Sequence, residues 1–418
     1  MKKIFLLICL LTATVGFTQN LETATPESVG MSSARLKRID ATLNDYVEKG
    51  YIPGAVALVV RDGKVVYHKA FGYDDLAAKS PLSKNAIVRI ASQTKAITST
   101  AVMMLYEEGK ILLDEPVSKY IPAFKTTGVL DKFTEADSSF STVPAKRQIT
   151  IRDLLTHTSG ISYSGIGTKE ANAIYAKNNV PSGIGTPNAK LSDAVNLIAK
   201  MPLMHQPGER FTYGLNTDVL GHLVEIVSGK ALDVFFQERI FSKLGMADTY
   251  FYLPESKHSK LAMLYSEDKN RSTIIAPDAV QNFPKEKGGF FAGGAGLSST
   301  AIDYAKFLQM ILNGGTFNGN DVLSPAIVRL MTSNQIGDKN VGQNKFGLGF
   351  AVATAKEAAR LPLSEGSFEW GGIFGTSYWA DPKQNLIGVI LTQKYPNSYN
   401  DLTEKYKVLV YQAISKLR

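Results

Sequence analysis

The chain of 418 residues is 44% hydrophobic and 20% charged, and it contains 35 glycines and 17 prolines. This is the composition of a globular protein, which excludes a disordered, collagen-like or low-complexity chain. The formal net charge of +8 is mild for this length and its basic residues do not cluster, so the sequence does not indicate nucleic-acid binding. No run reaches the roughly 18 to 20 consecutive apolar residues that a membrane span needs.

The N-terminus has the three parts of a secretory signal peptide, ending near position 18. Lys2 and Lys3 form a basic start, Ile4–Leu11 is an uninterrupted apolar run, and small and polar residues follow. We therefore expect residues 1–18 to be removed and the protein to be exported, to a periplasm or to the medium. Cleavage would also remove Cys9, the sole cysteine, and leave no thiol nucleophile or thiolate metal ligand.

The first part of the mature chain predicts a hairpin followed by a long helix. Ala55–Val60 and Lys64–Phe71 are apolar, β-branched runs joined by Arg61-Asp62-Gly63, which is typical of a hairpin turn. Ala91–Glu108 has apolar residues at helical spacing and no glycine or proline, and Gly109 follows it. We expect a helix over this range.

The middle of the chain predicts helices separated by long loops. The predicted helices are 151–155, 218–228, 232–244 and 301–312, and the segment 112–124 predicts short irregular structure. Thr150 with Asp153, and Thr300 with Asp303, have the spacing of capping boxes. Residues 125–148 and 161–190 are rich in turn-forming residues and predict long loops, which we expect to border a cleft.

Four short, apolar-rich runs near the C-terminus predict strands. They are Phe346–Ala353, Ser367–Trp370, Thr376–Ala380 and Leu386–Gln393, and Leu402–Leu417 predicts a closing amphipathic helix. The simplest packing pairs the N-terminal hairpin with these strands in one antiparallel sheet flanked by helices. The sequence therefore predicts an α+β fold in a single catalytic domain, 19–418. An α/β sandwich would span about 30–80 and 335–418, and an all-α lobe of about 81–334 would be inserted in it.

Ser92 and Lys95 stand at the start of the predicted long helix. The i, i+3 spacing places the serine hydroxyl and the lysine amine on one helix face. The helix N-terminus also offers unpaired N–H groups, among them the N–H of Ser92, to a developing oxyanion. In this S-x-x-K arrangement the lysine can take the serine proton. The pattern alone is common, and a helix-capping serine beside a surface lysine is the structural alternative.

Longer blocks around this pattern carry a more specific resemblance. Residues 89–95, Arg-Ile-Ala-Ser-Gln-Thr-Lys, closely resemble the nucleophile segment of the serine β-lactamase-like superfamily, which includes class C β-lactamases, penicillin-binding-protein-like enzymes and esterases. The blocks 112–122, 151–160 and 293–303 are similar to later segments of that family and occur in the same order. The resemblance runs from about residue 50 to 393. It implies that family's fold and an acyl-enzyme on the serine of the first block.

The family's second catalytic element is a tyrosine in a Tyr-x-Asn pattern on the helical lobe. Tyr213 matches the tyrosine, but Leu215 occupies the asparagine position and Asn216 comes one residue late. By resemblance, Tyr213 faces Ser92 and relays a proton, and Asn216 is placed in the substrate pocket. The displaced amide weakens the expectation of a peptide or β-lactam substrate. A buried core aromatic is the structural alternative for Tyr213.

The family's third element is normally Lys-Thr-Gly or His-x-Gly on an edge strand, and Trp370-Gly371-Gly372 stands in its place. This looks like the family VIII carboxylesterases. A flat apolar wall would replace the cation that pairs with a substrate carboxylate, and the glycines would let substrate approach the strand. By resemblance, the N–H of Ile373 is the second oxyanion donor, opposite that of Ser92. A buried core tryptophan is the structural alternative for Trp370.

Other patterns argue against metal, nucleotide and Ser-His-Asp chemistry. The five histidines lack the spacing of a helical zinc site, and no G-x-S-x-G motif is present. His157 lies in a family block and is expected to be structural rather than a base. The glycine run 293–296 does not have the pattern of a phosphate loop and predicts a tight turn. We expect no cofactor and no metal.

The sequence therefore predicts an exported serine hydrolase that cleaves carboxylic esters through an acyl-enzyme on Ser92, with Lys95 and Tyr213 as the base. The expected partner is a small-molecule ester, and the sequence does not indicate an oligomeric state. The close alternative is amide chemistry, by a β-lactamase or a D-amino-acid peptidase of the D-Ala-D-Ala type acting on cell-wall peptides.

That alternative would need another cation near the cleft, for which Arg147, Lys345 and Arg360 are candidates. A third alternative is a non-catalytic protein that binds cell-wall peptides. The intact serine, lysine and tyrosine argue against it.

Overall fold

A computed structural model describes residues 21–186 and 188–418. The predicted signal peptide, residues 1–18, lies outside the described residues. Across the two described ranges, none of the helices has both the length and the apolar character required to cross a bilayer.

The described residues form seventeen strands and thirteen α-helices. The strands are β1 Glu22–Thr23, β2 Gly54–Arg61, β3 Lys64–Asp75, β4 Ser80–Pro81, β5 Val88–Arg89, β6 Gly128–Thr134, β7 Ser139–Pro144, β8 Tyr265–Glu267, β9 Thr273–Ile275, β10 Ser298–Ser299, β11 Thr316–Phe317, β12 Asn320–Asp321, β13 Lys345–Phe346, β14 Ala351–Val352, β15 Phe368–Gly372, β16 Thr376–Asp381 and β17 Leu386–Leu391. The helices are α1 Ser33–Glu48, α2 Thr94–Glu107, α3 Ile151–Leu155, α4 Lys169–Lys177, α5 Leu191–Ala199, α6 Asn216–Ser228, α7 Leu232–Phe236, α8 Ser242–Leu244, α9 Asp278–Asn282, α10 Ala301–Leu312, α11 Pro325–Met331, α12 Ala355–Arg360 and α13 Leu402–Tyr411.

One large sheet joins the two ends of the chain, in the strand order β1-β3-β2-β17-β16-β15-β14-β13, with β4 paired to β3. The predicted hairpin is present as β2 and β3, and both Asp62 and Gly63 in its turn have positive φ. The C-terminal strand β17 pairs antiparallel with β2, so that Leu386 lies opposite Arg61. The predicted pairing of N-terminal and C-terminal strands is therefore confirmed.

Both faces of the sheet are covered, which is why every residue of β2 is buried. Val56, Leu58 and Val60 face a core shared with α2 and α10, whereas Ala55, Ala57 and Val59 face a core shared with α1 and α13. Because successive strand residues point to opposite faces, a strand buried on both faces must be apolar throughout. The predicted α+β class, with a sheet between helical layers, is confirmed.

The segment between β4 and β13 contains ten of the thirteen described α-helices, and it has more regular structure than predicted. Residues 125–148 are not a loop, because β6 and β7 within them form an antiparallel hairpin. The segment 161–190 includes the helix α4. The strands β6 and β7 are mostly exposed, so they lack the buried apolar face by which a strand is recognised in a sequence.

Helix ends agree with the sequence at some positions and differ at others. Thr150 and Asp153 form the predicted reciprocal capping box at α3. At α10, Thr300 caps the N–H of Asp303, but the Asp303 carboxylate accepts from the N–H of Asp248 instead of returning to Thr300. The last helix ends at Tyr411 rather than at Leu417, and the predicted strand 346–353 is divided into β13 and β14.

Candidate active site

Ser92 lies in a short 3₁₀ turn, Ala91–Gln93, which leads directly into α2. Ala91, just before it, has a φ of +43°, a left-handed conformation that is unfavourable for a residue with a side chain. The N–H of Ile90 donates to the carbonyl of Leu297 at 3.0 Å and anchors this turn from the other side. Strained backbone held by its surroundings is characteristic of functional sites, and here it presents a partly exposed serine at a helix N-terminus.

Lys95 is buried one turn later, with only 2% of its surface exposed. Its Nζ donates to Ser92 Oγ at 3.2 Å, to Tyr163 Oη at 2.9 Å and to the carbonyl of Gly294 at 2.7 Å. These three contacts surround the amine and fix its position beside the serine. The expected i, i+3 contact between serine and lysine is present.

Tyr213 reaches the serine from the segment that precedes α6. Its Oη donates to Ser92 Oγ at 2.6 Å, and the indole Nε1 of Trp370 donates to Tyr213 Oη at 3.4 Å. The amine of Lys95 lies 4.7 Å from the centre of the Tyr213 ring, within the range of a cation–π contact. The structure thus brings together all three residues that the sequence nominated, with the phenol and the amine both within hydrogen-bonding distance of Ser92 Oγ.

Asp218 stands behind this group, in the first turn of α6, and is completely enclosed. One carboxylate oxygen accepts from the N–H of Gly294 at 3.3 Å, and the other is buried with no hydrogen-bond partner among the described residues. Burial raises the pKa of Asp218 to about 6, although the nearby charge of Lys95 acts in the opposite direction. Burial also raises the pKa of Tyr163 well above 10, with Tyr213 and Asp218 adding to the effect, so Tyr163 stays neutral.

A cavity of about 490 Å³ opens above Ser92. Its lining consists of uncharged residues: Ser92, Tyr163, Ser164, Gly165, Ile166, Ser182, Ile184, Tyr213, Ala295, Trp370, Gly371, Ile373 and Tyr395. Six of these come from the segment 161–190, so the prediction that this segment borders a cleft is confirmed, whereas no residue of 125–148 lines this cavity. We call this space the catalytic cavity. An apolar cavity of this kind with a few polar groups at one point is the usual form of a small-molecule site.

The Trp-Gly-Gly segment forms the end of β15 on one side of the catalytic cavity. Strand β14 pairs with Phe368 and Glu369 only, so β15 extends beyond it from Trp370 onwards. Gly371 lines the catalytic cavity, but Gly372 does not. A Cβ at Gly372 would clash with the carbonyl oxygen of Ile90, so this glycine permits close packing of β15 against the serine turn.

Ile373 also lines the catalytic cavity, on the β15–β16 turn that follows Gly372. The Ser92 N–H belongs to the turn on which the end of β15 packs. Both N–H groups named by the resemblance therefore belong to segments that border the cavity, and their joint role as an oxyanion hole stays a prediction.

Asn216 is not in the substrate pocket, contrary to expectation. It is fully buried, accepts from the hydroxyl of Ser159 and lies with its Nδ2 at 2.9 Å from Nδ1 of His157. Asn216 is the first residue of α6, and a shift of one residue on a helix turns a side chain by about 100°. Leu215, at the family's asparagine position, is buried as well.

His157, which was expected to be structural, packs beneath Tyr213 with 5.0 Å between the ring centres. Burial, together with the charge of Lys95, holds the pKa of His157 well below its usual value, so the imidazole is neutral. It is absent from the residues that line the catalytic cavity.

Three members of the site were not identified from the sequence: Tyr163, the carbonyl of Gly294 and Asp218. Tyr163 follows the recognised block 151–160 by three residues, in a segment that predicted only a loop. The glycine run was recognised as a turn, but backbone acceptors leave no residue-type signal. Asp218 lies five residues after Tyr213 in a helix that also contains Glu225, so an acidic residue there gave no distinctive signal.

The cations that amide chemistry would need are engaged elsewhere. Arg147 forms an ion pair with Asp153, with Nη2 at 2.9 Å from Oδ1. Lys345 donates to the carbonyl of Lys339 at 3.0 Å, and Arg360 pairs with Glu357 and Glu404. None of these three cations lines the catalytic cavity.

This fold, with a serine, a lysine and a tyrosine meeting at the junction of a helical segment and a sheet, defines a serine hydrolase of the β-lactamase type. A family model described as Beta-lactamase matches residues 39–412, which is most of the chain. The chain belongs to this family, and it is an enzyme of the serine hydrolase class, as the sequence predicted.

Among its relatives, an uncharacterised protein of Mycobacterium tuberculosis is 35% identical over 85% of this chain and 90% of the relative. Esterase EstB of Burkholderia gladioli is 30% identical over 92% of this chain and 98% of the relative. The solved structure of EstCE1, described as a hydrolase with promiscuous acyltransferase activity, is 26% identical and superposes with a TM-score of 0.77, covering 90% of this chain and 99% of that one.

Proposed function

We propose that this protein is an exported carboxylesterase that hydrolyses neutral esters through an acyl-enzyme on Ser92. The observation that carries the proposal is the uncharged lining of the catalytic cavity, in which Trp370 takes the place of the cation expected for substrates with a carboxylate. A buried site without a counter-charge penalises a charged substrate, because the desolvated charge is left unpaired. The similarity to EstB, a protein named as an esterase, supports the same substrate class.

The first half of the reaction forms the acyl-enzyme. The base formed by Lys95 and Tyr213, with one of its two groups deprotonated, takes the proton of Ser92, and the serine oxygen bonds to the ester carbonyl carbon. The carbonyl oxygen becomes an oxyanion, stabilised by the N–H groups of Ser92 and Ile373. When the carbon–oxygen bond of the ester breaks, the alcohol leaves with the proton that the base had taken.

The second half reverses these roles with water. A water molecule gives a proton to the same base and attacks the acyl carbon, and the acid is released as the proton returns to Ser92 Oγ. Tyr213 is suited to both proton transfers because its hydroxyl lies 2.6 Å from the serine oxygen. Trp370 orients that phenol by donating to Tyr213 Oη.

The proposal includes export, which rests on the signal-peptide pattern of residues 1–18. A fusion of this segment to a reporter enzyme that is active only outside the cytoplasm would test it. Activity of the fusion supports export, and activity only when a known signal peptide is substituted would refute it.

The main test is a paired kinetic assay on mature protein and on Ser92→Ala. A short-chain p-nitrophenyl ester represents neutral esters, and a chromogenic cephalosporin, which carries a carboxylate, represents the amide alternative. We expect ester turnover that is lost in Ser92→Ala, together with cephalosporin turnover at least a hundredfold weaker in kcat/KM. Comparable turnover of the cephalosporin would overturn the proposal, as would ester turnover that survives in Ser92→Ala.

A further inference from the structure

A second cavity of about 340 Å³ lies next to the catalytic cavity. The two share Ile373 and Tyr395 as walls, and Gly372, which does not border the catalytic cavity, borders the second one. Consider an ester bound with its carbonyl carbon at Ser92 and its carbonyl oxygen at the N–H of Ile373. Its carbonyl group then lies at the boundary between the catalytic cavity and the second cavity. One substituent of the ester fits the apolar catalytic cavity, and the other can pass over Ile373 into the second cavity.

The second cavity offers no unpaired charge to a ligand, although Lys394 lies in its wall. The Lys394 side chain is fully buried, and its amine donates to the carbonyl of Tyr51 at 3.1 Å and pairs with Glu267 at 3.0 Å. The positive charge is thus compensated inside the protein. A ligand with a carboxylate or an ammonium group would lose its hydration without gaining a counter-ion.

What the second cavity does offer is neutral hydrogen-bonding groups next to aromatic rings. Asn397 and Asn400 both line it. The Oδ1 of Asn397 accepts from the N–H of Tyr399 at 3.0 Å, which directs the amide and leaves Nδ2 as a donor. The Tyr399 ring is itself held, because it stacks on Tyr51 with 3.7 Å between the ring centres.

Two further residues add an aromatic ring and a hydroxyl group to the lining of the second cavity. Tyr395, on the shared wall, is 41% exposed although it is a large aromatic residue. Thr403, at the start of α13, adds a hydroxyl to the lining. Side-chain amides and hydroxyls beside aromatic faces suit a ligand that has hydroxyl groups around an apolar ring face.

We infer that the second cavity binds the alcohol part of the substrate, and that this alcohol is a neutral polyol such as a sugar. The natural substrate would then be an acylated sugar, with its acyl group in the catalytic cavity and its ring against Tyr395 and Tyr399. Asn397 and Asn400 would act as specificity-determining residues by hydrogen bonding to the hydroxyls. The inference rests on the proposed esterase function, since it assigns the leaving group of that reaction.

The test compares two acetyl esters that differ in hydroxyl groups, 6-O-acetylglucose and cyclohexylmethyl acetate, with p-nitrophenyl acetate as a reference. We expect wild-type kcat/KM to be at least tenfold higher for the sugar ester than for the cyclohexyl ester. In the variant Asn397→Asp/Asn400→Ala, kcat/KM for the sugar ester falls about tenfold, the effect of losing two neutral hydrogen bonds. The aspartate keeps an acceptor for the Tyr399 N–H, and the loss is smaller for cyclohexylmethyl acetate, whose alcohol has no further hydroxyl groups to bind.

Asn340→Ala is the matched control, because Asn340 is an exposed asparagine outside both cavities. A peptide-binding role would appear instead as preference for an O-acetylserine peptide over the sugar ester, and it would overturn the inference. So would equal losses on all three esters, or no loss on the sugar ester.

Calorimetric titration of 6-O-acetylglucose into Ser92→Ala measures binding of the sugar ester in the absence of turnover. Binding that is weakened by the Asn397/Asn400 changes supports the inference, and no binding overturns it. If aryl ester turnover depends on Ser92 while the sugar ester is not preferred, the inference fails and the esterase proposal stands. If no ester is turned over, the proposed function fails first.

Discussion

Replacing Tyr213 by phenylalanine removes one oxygen and leaves the rest of the site in place. The ring packs against Trp370, with 5.4 Å between the ring centres, and against His157 at 5.0 Å, and phenylalanine keeps both contacts. Only the hydrogen bond from Oη to Ser92 and the one received from Trp370 disappear. The free energy of unfolding should therefore fall by about 1 to 2 kcal/mol.

Catalysis should suffer far more than stability. Positioned general acid–base groups contribute about 10² to 10⁴ in rate, which is roughly 3 to 5 kcal/mol of transition-state stabilisation. We expect Tyr213→Phe to lower kcat/KM for a p-nitrophenyl ester by at least a hundredfold, measured beside a urea denaturation curve.

Tyr163→Phe is the matched control. It removes one of three acceptors of Lys95 and makes no contact with the serine oxygen, so we expect a loss of about tenfold. The proton-transfer role of Tyr213 would be refuted if Tyr213→Phe lowered kcat/KM by less than tenfold. It would also be refuted if Tyr163→Phe lowered kcat/KM more than Tyr213→Phe does.

Three further outcomes follow from the same geometry. Trp370→Ala should lower ester kcat/KM about tenfold, and Trp370→Phe, which keeps an aromatic wall, should lose less; equal losses would contradict this. Gly372→Ala should lower Tm by a few degrees, because its Cβ clashes with the carbonyl of Ile90, whereas Gly289→Ala, with open space around it, should not. Asp218 has a pKa of about 6 in the folded protein against an ordinary 3.8, so it binds a proton more tightly when the protein is folded. This proton binding stabilises the folded state below about pH 4, and the stabilisation is lost as pH rises from about 4 to 6. The free energy of unfolding of Asp218→Asn, relative to wild type, should therefore rise by up to about 3 kcal/mol from pH 4 to pH 7 in urea titrations; a difference that does not change with pH would contradict this.

The large features of the fold could be predicted because their signals are local and strong. The hairpin β2–β3 has apolar runs and a turn with two positive φ angles, and α2 has helical spacing with no breaker. The spacing of Ser92 and Lys95 on one helix fixes their contact regardless of the rest of the chain. Tyr213 and Trp370 were found by matching a family pattern, and the structure places Tyr213 at the serine and Trp370 beside Tyr213.

Features that depend on tertiary packing could not be predicted in this way. Tyr163 meets Lys95 only because the segment after α3 folds over α2, and nothing in its local sequence indicates that path. Asn216 illustrates how a displacement of one position on a helix moves an amide from a cavity to the interior. Gly371 and Gly372 look alike in the sequence, and only the tertiary structure distinguishes them. Gly372 packs on Ile90, whereas Gly371 lines the catalytic cavity.

The most direct test of the central claim is to locate the acyl group on the enzyme. Mature protein would be mixed with a p-nitrophenyl ester, quenched in acid during turnover, digested with trypsin and analysed by mass spectrometry. We expect one acyl group on the peptide 90–95, assigned by fragmentation to Ser92, and none in Ser92→Ala. An acyl group on another residue, or steady turnover by Ser92→Ala, would contradict the account.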